Sequence, residues 1–407
     1  MVNSTQRYDI LIVDASHKQS ARSARNLGQT GVRVALGASV DECTTPDPLP
    51  AFRSKYCARS VMLPSYSSEP TAYVDAIIGF VRQHHVTVVL PTGDASIAAL
   101  APRREELAEL GCTLAVAPDA VLEIATDKTR TLEVADKLGI AYPRSIQIDS
   151  PDDLPAAAAE FGFPFVLKPT ISWNGKSGCR VVPVEVIDST EALDATMAFQ
   201  AAGADVIAQE FAPGRREGVS LFLVDGEVLA YCGHVAHRTS PLMGGVSVLR
   251  ESIAVPEEVL DASMRLAKTI GLEGPCEVEF RRNADGKPLL MEINPRLAGT
   301  LENAVQSGVD FPLMVWQWAS GQPVSRVDGY RTGVRTRWLH GDLRWLHENL
   351  YRNGRPDTVP RPRGVWAFAS EFARTRNYDY IDFRDPGPAI SELQSIVRSF
   401  RDVSRRK

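Results

Sequence analysis

Gly274-Pro-Cys-Glu-Val-Glu-Phe-Arg-Arg-Asn-Ala-Asp-Gly-Lys-Pro-Leu-Leu-Met-Glu-Ile-Asn-Pro-Arg296 reads as a β-hairpin. Val278 and Phe280 alternate with polar residues, Asn283 to Gly286 supply turn chemistry, and Leu289 to Ile293 resume the strand. Side chains alternate faces along a strand, so Glu277 and Glu279 share one face, and Glu292 and Asn294 share one. Opposed residues of an antiparallel pair sit close enough for two carboxylates to hold one cation. Glu279, Glu292 and the Asn294 amide carbonyl are hard oxygen donors that suit Mg²⁺ (or Mn²⁺), which takes few protein ligands. Arg296 follows Pro295, where a guanidinium can bind a substrate anion or a transferring phosphoryl group.

Around this hairpin lie 407 residues, enough for two or three domains with sizeable cores. A 44% hydrophobic and 23% charged composition is that of a globular protein. The net charge of −5 argues against a nucleic-acid surface, and the locally basic tail Arg398–Lys407 reads as a solvated helix end. Six scattered cysteines without a Cys-x-x-Cys pair indicate neither a zinc site nor a disulfide framework. With no apolar leader and no run of about 18 apolar residues, the expected location is cytoplasmic and away from membranes.

From Tyr8 to about Ala117 the chain alternates strands and helices in the rhythm of a parallel, Rossmann-like sheet. Strands are predicted at Ile10–Val13, Val32–Leu36 and Val86–Leu90, with helices over Ser20–Leu27, ending at Gly28, and Tyr73–His84. The turn Asp14-Ala-Ser-His-Lys-Gln-Ser20 contains no glycine, so it does not support a dinucleotide site. Asp94, in the loop after the Val86–Leu90 strand, either faces a ligand or caps the following helix.

Lys128 falls in the first turn of a helix opened by Thr126 or Asp127, where a phosphate partner would explain a cation at the positive helix end. Lys168 sits on the apolar strand Phe163–Pro169 and needs an anion or an exit to water. The small-residue loop Ser172-Trp-Asn-Gly175-Lys176-Ser177-Gly178 follows, either a plain turn or a nest of N–H groups for phosphate. Trp173 has no evident role there. A later loop rich in glycine makes His237, Arg238 and Ser247 candidates for substrate contact. Glu257–Ile270 and Phe311–Ser320 read as helices, with Trp316 and Trp318 as core.

The order Lys128, Lys168, glycine-rich loop, Glu210 and Glu217, Glu279, Glu292-Ile-Asn294-Pro-Arg296 resembles the ATP-grasp superfamily, in its carboxylate–amine ligase branch, across residues 8 to 325. The resemblance implies an α/β and α+β architecture. A Rossmann-like pre-ATP-grasp domain (1–120) would precede a lid subdomain (121–210), a metal and substrate subdomain (211–325) and a small closing subdomain (326–407). It implies that Lys128, Lys168 and the loop Gly175-Lys176-Ser177-Gly178 hold the phosphates of ATP. Glu210, Phe211 and Ala212 would meet adenine, Glu217 the ribose, and Glu279, Glu292 and Asn294 the metal. Arg296 and Lys168 would serve the reaction.

The implied activity is ADP-forming: a small carboxylic or amino acid becomes an acyl phosphate and is joined to an amine. Small-molecule substrates are the expected partners, with a homodimer possible. Phosphorylation of bicarbonate or carbamate, as in carbamoyl phosphate synthetases, and a non-catalytic ATP-binding role are the alternatives. In those synthetases a His precedes the comparable loop, and Met243 stands at its place here, which weighs against the first alternative. Arg335 and Arg337 are within possible reach of a substrate, without an assigned role.

Overall fold

A computed structural model describes residues 6–43, 48–171, 173–174, 180–181, 185–189, 205–242, 244–351 and 358–405 of the protein. Its first layer is a parallel sheet of β1 (Ile10–Ile12), β2 (Val34–Ser39), β3 (Cys57–Leu63), β4 (Val88–Leu90) and β5 (Thr113–Leu114), in the order β3-β2-β1-β4-β5. Ile10, Leu11 and Ile12 are wholly buried because helices cover both faces of such a sheet. The first helix, α1 (Lys18–Gln29), runs past Gly28, contrary to expectation. Gly28 instead admits the Tyr56 ring, whose atoms lie 2.6 Å from where a Cβ would stand. The chain turns at Gly31, with φ +91°.

Helix α2 (Pro70–His84) ends on His85 in the left-handed region, and β4 feeds the loop into α3 (Asp94–Leu100). Next, α4 (Lys128–Lys137) starts where Asp127 accepts from the Thr129 and Arg130 N–H groups, as the capping chemistry predicts. A four-stranded antiparallel sheet follows: β6 (Ser145–Ile148), β7 (Phe165–Pro169), β10 (Glu185–Ile187) and β11 (Val206–Glu210), in the order β10-β7-β11-β6. Between β7 and β10, β8 (Trp173–Asn174) and β9 (Arg180–Val181) pair antiparallel. Gly175, Lys176, Ser177 and Gly178 lie outside the described residues, as do Met243 and the side chain of Trp173.

The third sheet has seven strands: β12 (Arg216–Val224), β13 (Glu227–Ser240), β14 (Val246–Ser252), β15 (Gly274–Arg282), β16 (Pro288–Asn294), β17 (Arg335–Arg337) and β18 (Asn377–Tyr378). Their order is β16-β15-β12-β13-β14-β17-β18. Strands β17 and β18, from the segment expected to form a closing subdomain (326–407), extend this same sheet through β14. A short strand pairs with any open edge it meets, and sequence alone does not say which edge is open.

The last helix, α5 (Gly387–Arg405), returns the chain to the first domain, where Ser391 Oγ donates to the Pro48 carbonyl. One apolar cluster joins the layers, with Ile97 and Val116 of the first domain in the same core as Leu221, Val278 and Phe280 of the third sheet. At about 1.5–3 kcal/mol for each fully buried aliphatic side chain, this shared core holds the hairpin against the first domain.

Candidate active site

The hairpin forms as its sequence predicts. Asn283 Oδ1 accepts from the Asp285 and Lys287 N–H groups, and Gly286 takes the positive φ of the turn. Glu279 is paired with Glu292 and Glu277 with Asn294. Between Glu279 and Phe280 the register slips by one, leaving Met291 as the extra residue of a β-bulge. The bulge adjoins the carboxylate pair at the edge of the sheet.

These residues wall a cavity of about 600 Å³ that also reaches Lys168, Glu210, Phe211, Ala212, Arg216, Asp94, Arg296 and Ser247. Lys168 projects from β7, is 8% exposed, and donates to Gln209 Oε1 at 2.6 Å. Burial lowers its pKa to about 8 against the pull of Glu292. Glu279 accepts from Arg216 at 2.8 Å, yet burial, with repulsion from Glu277 and Glu292, pushes it up to about 7. Glu292 is held below its ordinary value despite burial, because Lys128, Lys168 and Arg216 face it. Two opposed acids with divergent proton affinities form a site short of one positive charge.

Lys128 is 6% exposed, its N–H bonded to the Thr170 carbonyl at 2.9 Å, and it opens onto a smaller, adjoining cavity beside Glu292. Among the described residues no group of three or more His, Cys, Asp or Glu is arranged to hold a metal. The oxygen donors available are therefore the two carboxylates and Asn294, whose Nδ2 donates to Glu292 at 3.3 Å. That set fits a hard divalent cation completing its shell from phosphate oxygens or water. Glu277 is committed elsewhere, accepting from Thr300 Oγ1 at 3.0 Å.

Arg296 donates from Nε to Asp94 at 2.6 Å and from its terminal nitrogen to Asp94 at 3.3 Å and to Asn294 Oδ1 at 3.2 Å. Asp94 is thus not the helix cap: Gly93 holds that position, and the Asp94 carboxylate crosses to the hairpin. Burial opposes its ionisation, but the Arg296 charge keeps its pKa low.

Three candidates stand elsewhere. Glu217, expected at the ribose, is 1% exposed and grips Arg282 at 2.9 and 3.0 Å as well as Arg215. Arg238 is bound to Asp342 at 2.8 and 3.0 Å and lies 4.2 Å from the Trp345 ring centre. His237 pairs with Glu251 at 3.0 Å, and both His237 and Arg238 line a separate cavity of about 430 Å³. Each has a partner distant in sequence, so its isolated motif gave no sign of it. Arg335 and Arg337 are likewise engaged, with Glu251 and Glu371 and with Asp342. Arg216 and Gln209 join the site without having been read as site residues, and Asp94 joins it on the ligand-facing one of its two readings. Only Asp94 carried a signal, its place after a parallel strand.

A family model described as an ATP-grasp in the biosynthetic pathway with Ter operon matches residues 207–341. The chain is 24% identical over 270 residues to a carbamoyl phosphate synthase large chain of Deinococcus radiodurans, covering 64% of this chain and 25% of that one. It is 28% identical over 211 residues to a D-alanine–D-alanine ligase of Stutzerimonas stutzeri, covering 47% of this chain and 63% of that one. The chain therefore spans about a quarter of the former relative's length and less than two thirds of the latter's. Its fold is similar to that in a crystal structure of a biotin carboxylase–β-γ-ATP complex from Campylobacter jejuni. The TM-score is 0.61 and the identity 18%, with 82% of this chain and 75% of that chain covered.

Proposed function

We propose, from the premise that this chain is an ATP-grasp protein, that it is an ADP-forming carboxylate–amine ligase. The observation that carries the reading is the opposed pair Glu279 and Glu292, in one cavity with Lys168 and Arg296 and beside Lys128. A triphosphate brings negative charge to a place where two lysines already face an acidic pair. Lys168 and Lys128 hold phosphoryl oxygens, and the Glu210–Ala212 segment meets the base. Glu279, Glu292 and Asn294 hold Mg²⁺, which when bound offsets the charge that develops on the phosphates. Arg296, kept in one orientation by Asp94, binds the substrate carboxylate.

That carboxylate attacks the γ-phosphorus, ADP leaves, and an acyl phosphate results. The amine nitrogen then attacks the acyl carbon, phosphate departs with the C–O electron pair, and the nitrogen gives up a proton. Similarity to a D-alanine–D-alanine ligase supports the joining of acid to amine. A second reading, phosphorylation of bicarbonate, is favoured by the likeness to carbamoyl phosphate synthase.

ADP release across a panel of acids and amines, with hydroxylamine trapping of the acyl phosphate, separates the two. Dependence on both an acid and an amine is expected, whereas dependence on bicarbonate alone would replace the first reading with the second. Glu292→Ala should abolish turnover and leave the melting temperature within a few degrees, since it removes a ligand and no packing. Turnover like that of the unmodified protein would refute the metal assignment.

A further inference from the structure

Lys18, the first residue of α1 after the glycine-free turn that follows β1, reaches the same cavity. There it meets Ser247 of β14 and two residues of the C-terminal segment, Trp338 and Tyr380. Lys18 Nζ lies 3.4 Å from the Ser247 carbonyl, 3.5 Å from Asp379 and 4.8 Å from the Trp338 ring centre. These are loose contacts for an ammonium that is 13% exposed. Asp379 is shared, because Arg250, fully buried, also binds it. Glu392, the next acid, is pushed up to about 8 by burial and by Asp379, so it is largely uncharged at neutral pH. Burial lowers the Lys18 ammonium itself to about 8, so it is still mostly charged at neutral pH, and two cations against one carboxylate leave an excess positive charge on the cavity wall.

The Ser247 hydroxyl, on a residue 4% exposed, has no hydrogen-bond partner among the described residues. A buried hydroxyl without a partner carries a cost that a ligand oxygen would remove. Asp14 and Glu42 also line the cavity, but each is fixed by donors of the first domain. Asp14 accepts from the Thr92 and Gly93 N–H groups, and Glu42 from those of Ser16 and Ser39. Asp14 repels an anion, and Lys18 offers it a place on this wall.

We propose that Lys18 and Ser247 form a subsite for a second carboxylate, one that survives the reaction and is carried by the amine substrate. The nucleophile is then an amino acid, and the product ends in a free carboxylate. This rests on the ligase reading, in which Arg296 takes the carboxylate that is consumed. Trp338 supplies a flat apolar wall for the remainder of the nucleophile.

The test compares amino acids with their carboxamides as the amine substrate, using the full chain. A preference for the acid of at least about tenfold in kcat/KM is expected from one charge-assisted contact. Lys18→Met should erase it by raising KM for the acid alone, leaving KM for the carboxamide and the affinity for Mg-ATP as they were. Ser247→Ala, which breaks no side-chain hydrogen bond among the described residues, should move the ratio the same way by less. A preference retained in Lys18→Met overturns the subsite. So does a preference that follows a second carboxylate on the acid substrate rather than on the amine. Calorimetry on protein saturated with Mg²⁺ and a non-hydrolysable ATP analogue reads the subsite without turnover. No discrimination there overturns it, whereas carboxylate-selective binding without any ligation sinks only the ligase reading.

Discussion

Glu279 and Glu292 illustrate how two like residues acquire unlike chemistry from their neighbours. Glu279, pushed up to about 7, holds in the folded state a proton that the unfolded chain releases near 4.5. Folded protein binds more protons than unfolded protein between those values, so stability must fall as pH rises through that window. Glu42 shifts in the same direction, so the effect is read as a difference between variants. Urea midpoints from pH 4.5 to 7 should fall less steeply for Glu279→Gln, and Mg²⁺ should flatten the curve of the unmodified protein alone. Identical slopes would mean that Glu279 is already ionised in the folded state. At Arg296 the planar fork is what matters, since it binds Asp94 through two nitrogens while reaching Asn294. Arg296→Lys should lower kcat by about two orders of magnitude. An unchanged rate and acceptor affinity would leave Arg296 with a structural role only.

Strand β12 is an inner member of the site's sheet, pairing with β13 on one side and β15 on the other. Gly218 stands opposite both His234 and Glu279. A Cβ there would lie 2.2 Å from the His234 ring, so the glycine is required by close approach rather than by its φ. Burial, with Arg216 and Arg250 nearby, lowers His234 to about 3, so the ring is neutral and its 3.6 Å approach to Glu277 is not an ion pair at ordinary pH. Gly218→Ala should cost about 1–3 kcal/mol in a urea melt, because the ring must move against Glu277. An unchanged midpoint would show that the strand yields freely at that point.

Across the whole molecule, the C-terminal segment ties the first domain to the third sheet through buried charges. Asp385 is 1% exposed and accepts from Arg25 at 3.2 Å, Ser54 Oγ at 2.8 Å and the Lys55 N–H at 2.9 Å. Removing it leaves Arg25, itself 1% exposed, with Asp382 at 3.6 Å as the remaining acid. Asp385→Ala should therefore cost about 3–5 kcal/mol and expose the segment after β18 to proteolysis. A melt and a digestion pattern like those of the unmodified protein would show that the tie adds little. No helix among the described residues is long and apolar enough to cross a membrane.

The hairpin, its turn, the facing of Glu279 with Glu292, and the Asp127 cap before Lys128 were legible in the sequence, because each depends on residues close along the chain. Short-range periodicity and turn chemistry carry that information. The pairing of Arg296 with Asp94, the withdrawal of Glu217 and Arg238 into ion pairs, and the joining of β17 to the third sheet were decided only by tertiary structure. Their partners lie 65 to 202 residues away for the ion pairs. A charge near an anion site is free or spent according to what packs beside it, and no local pattern records that neighbour.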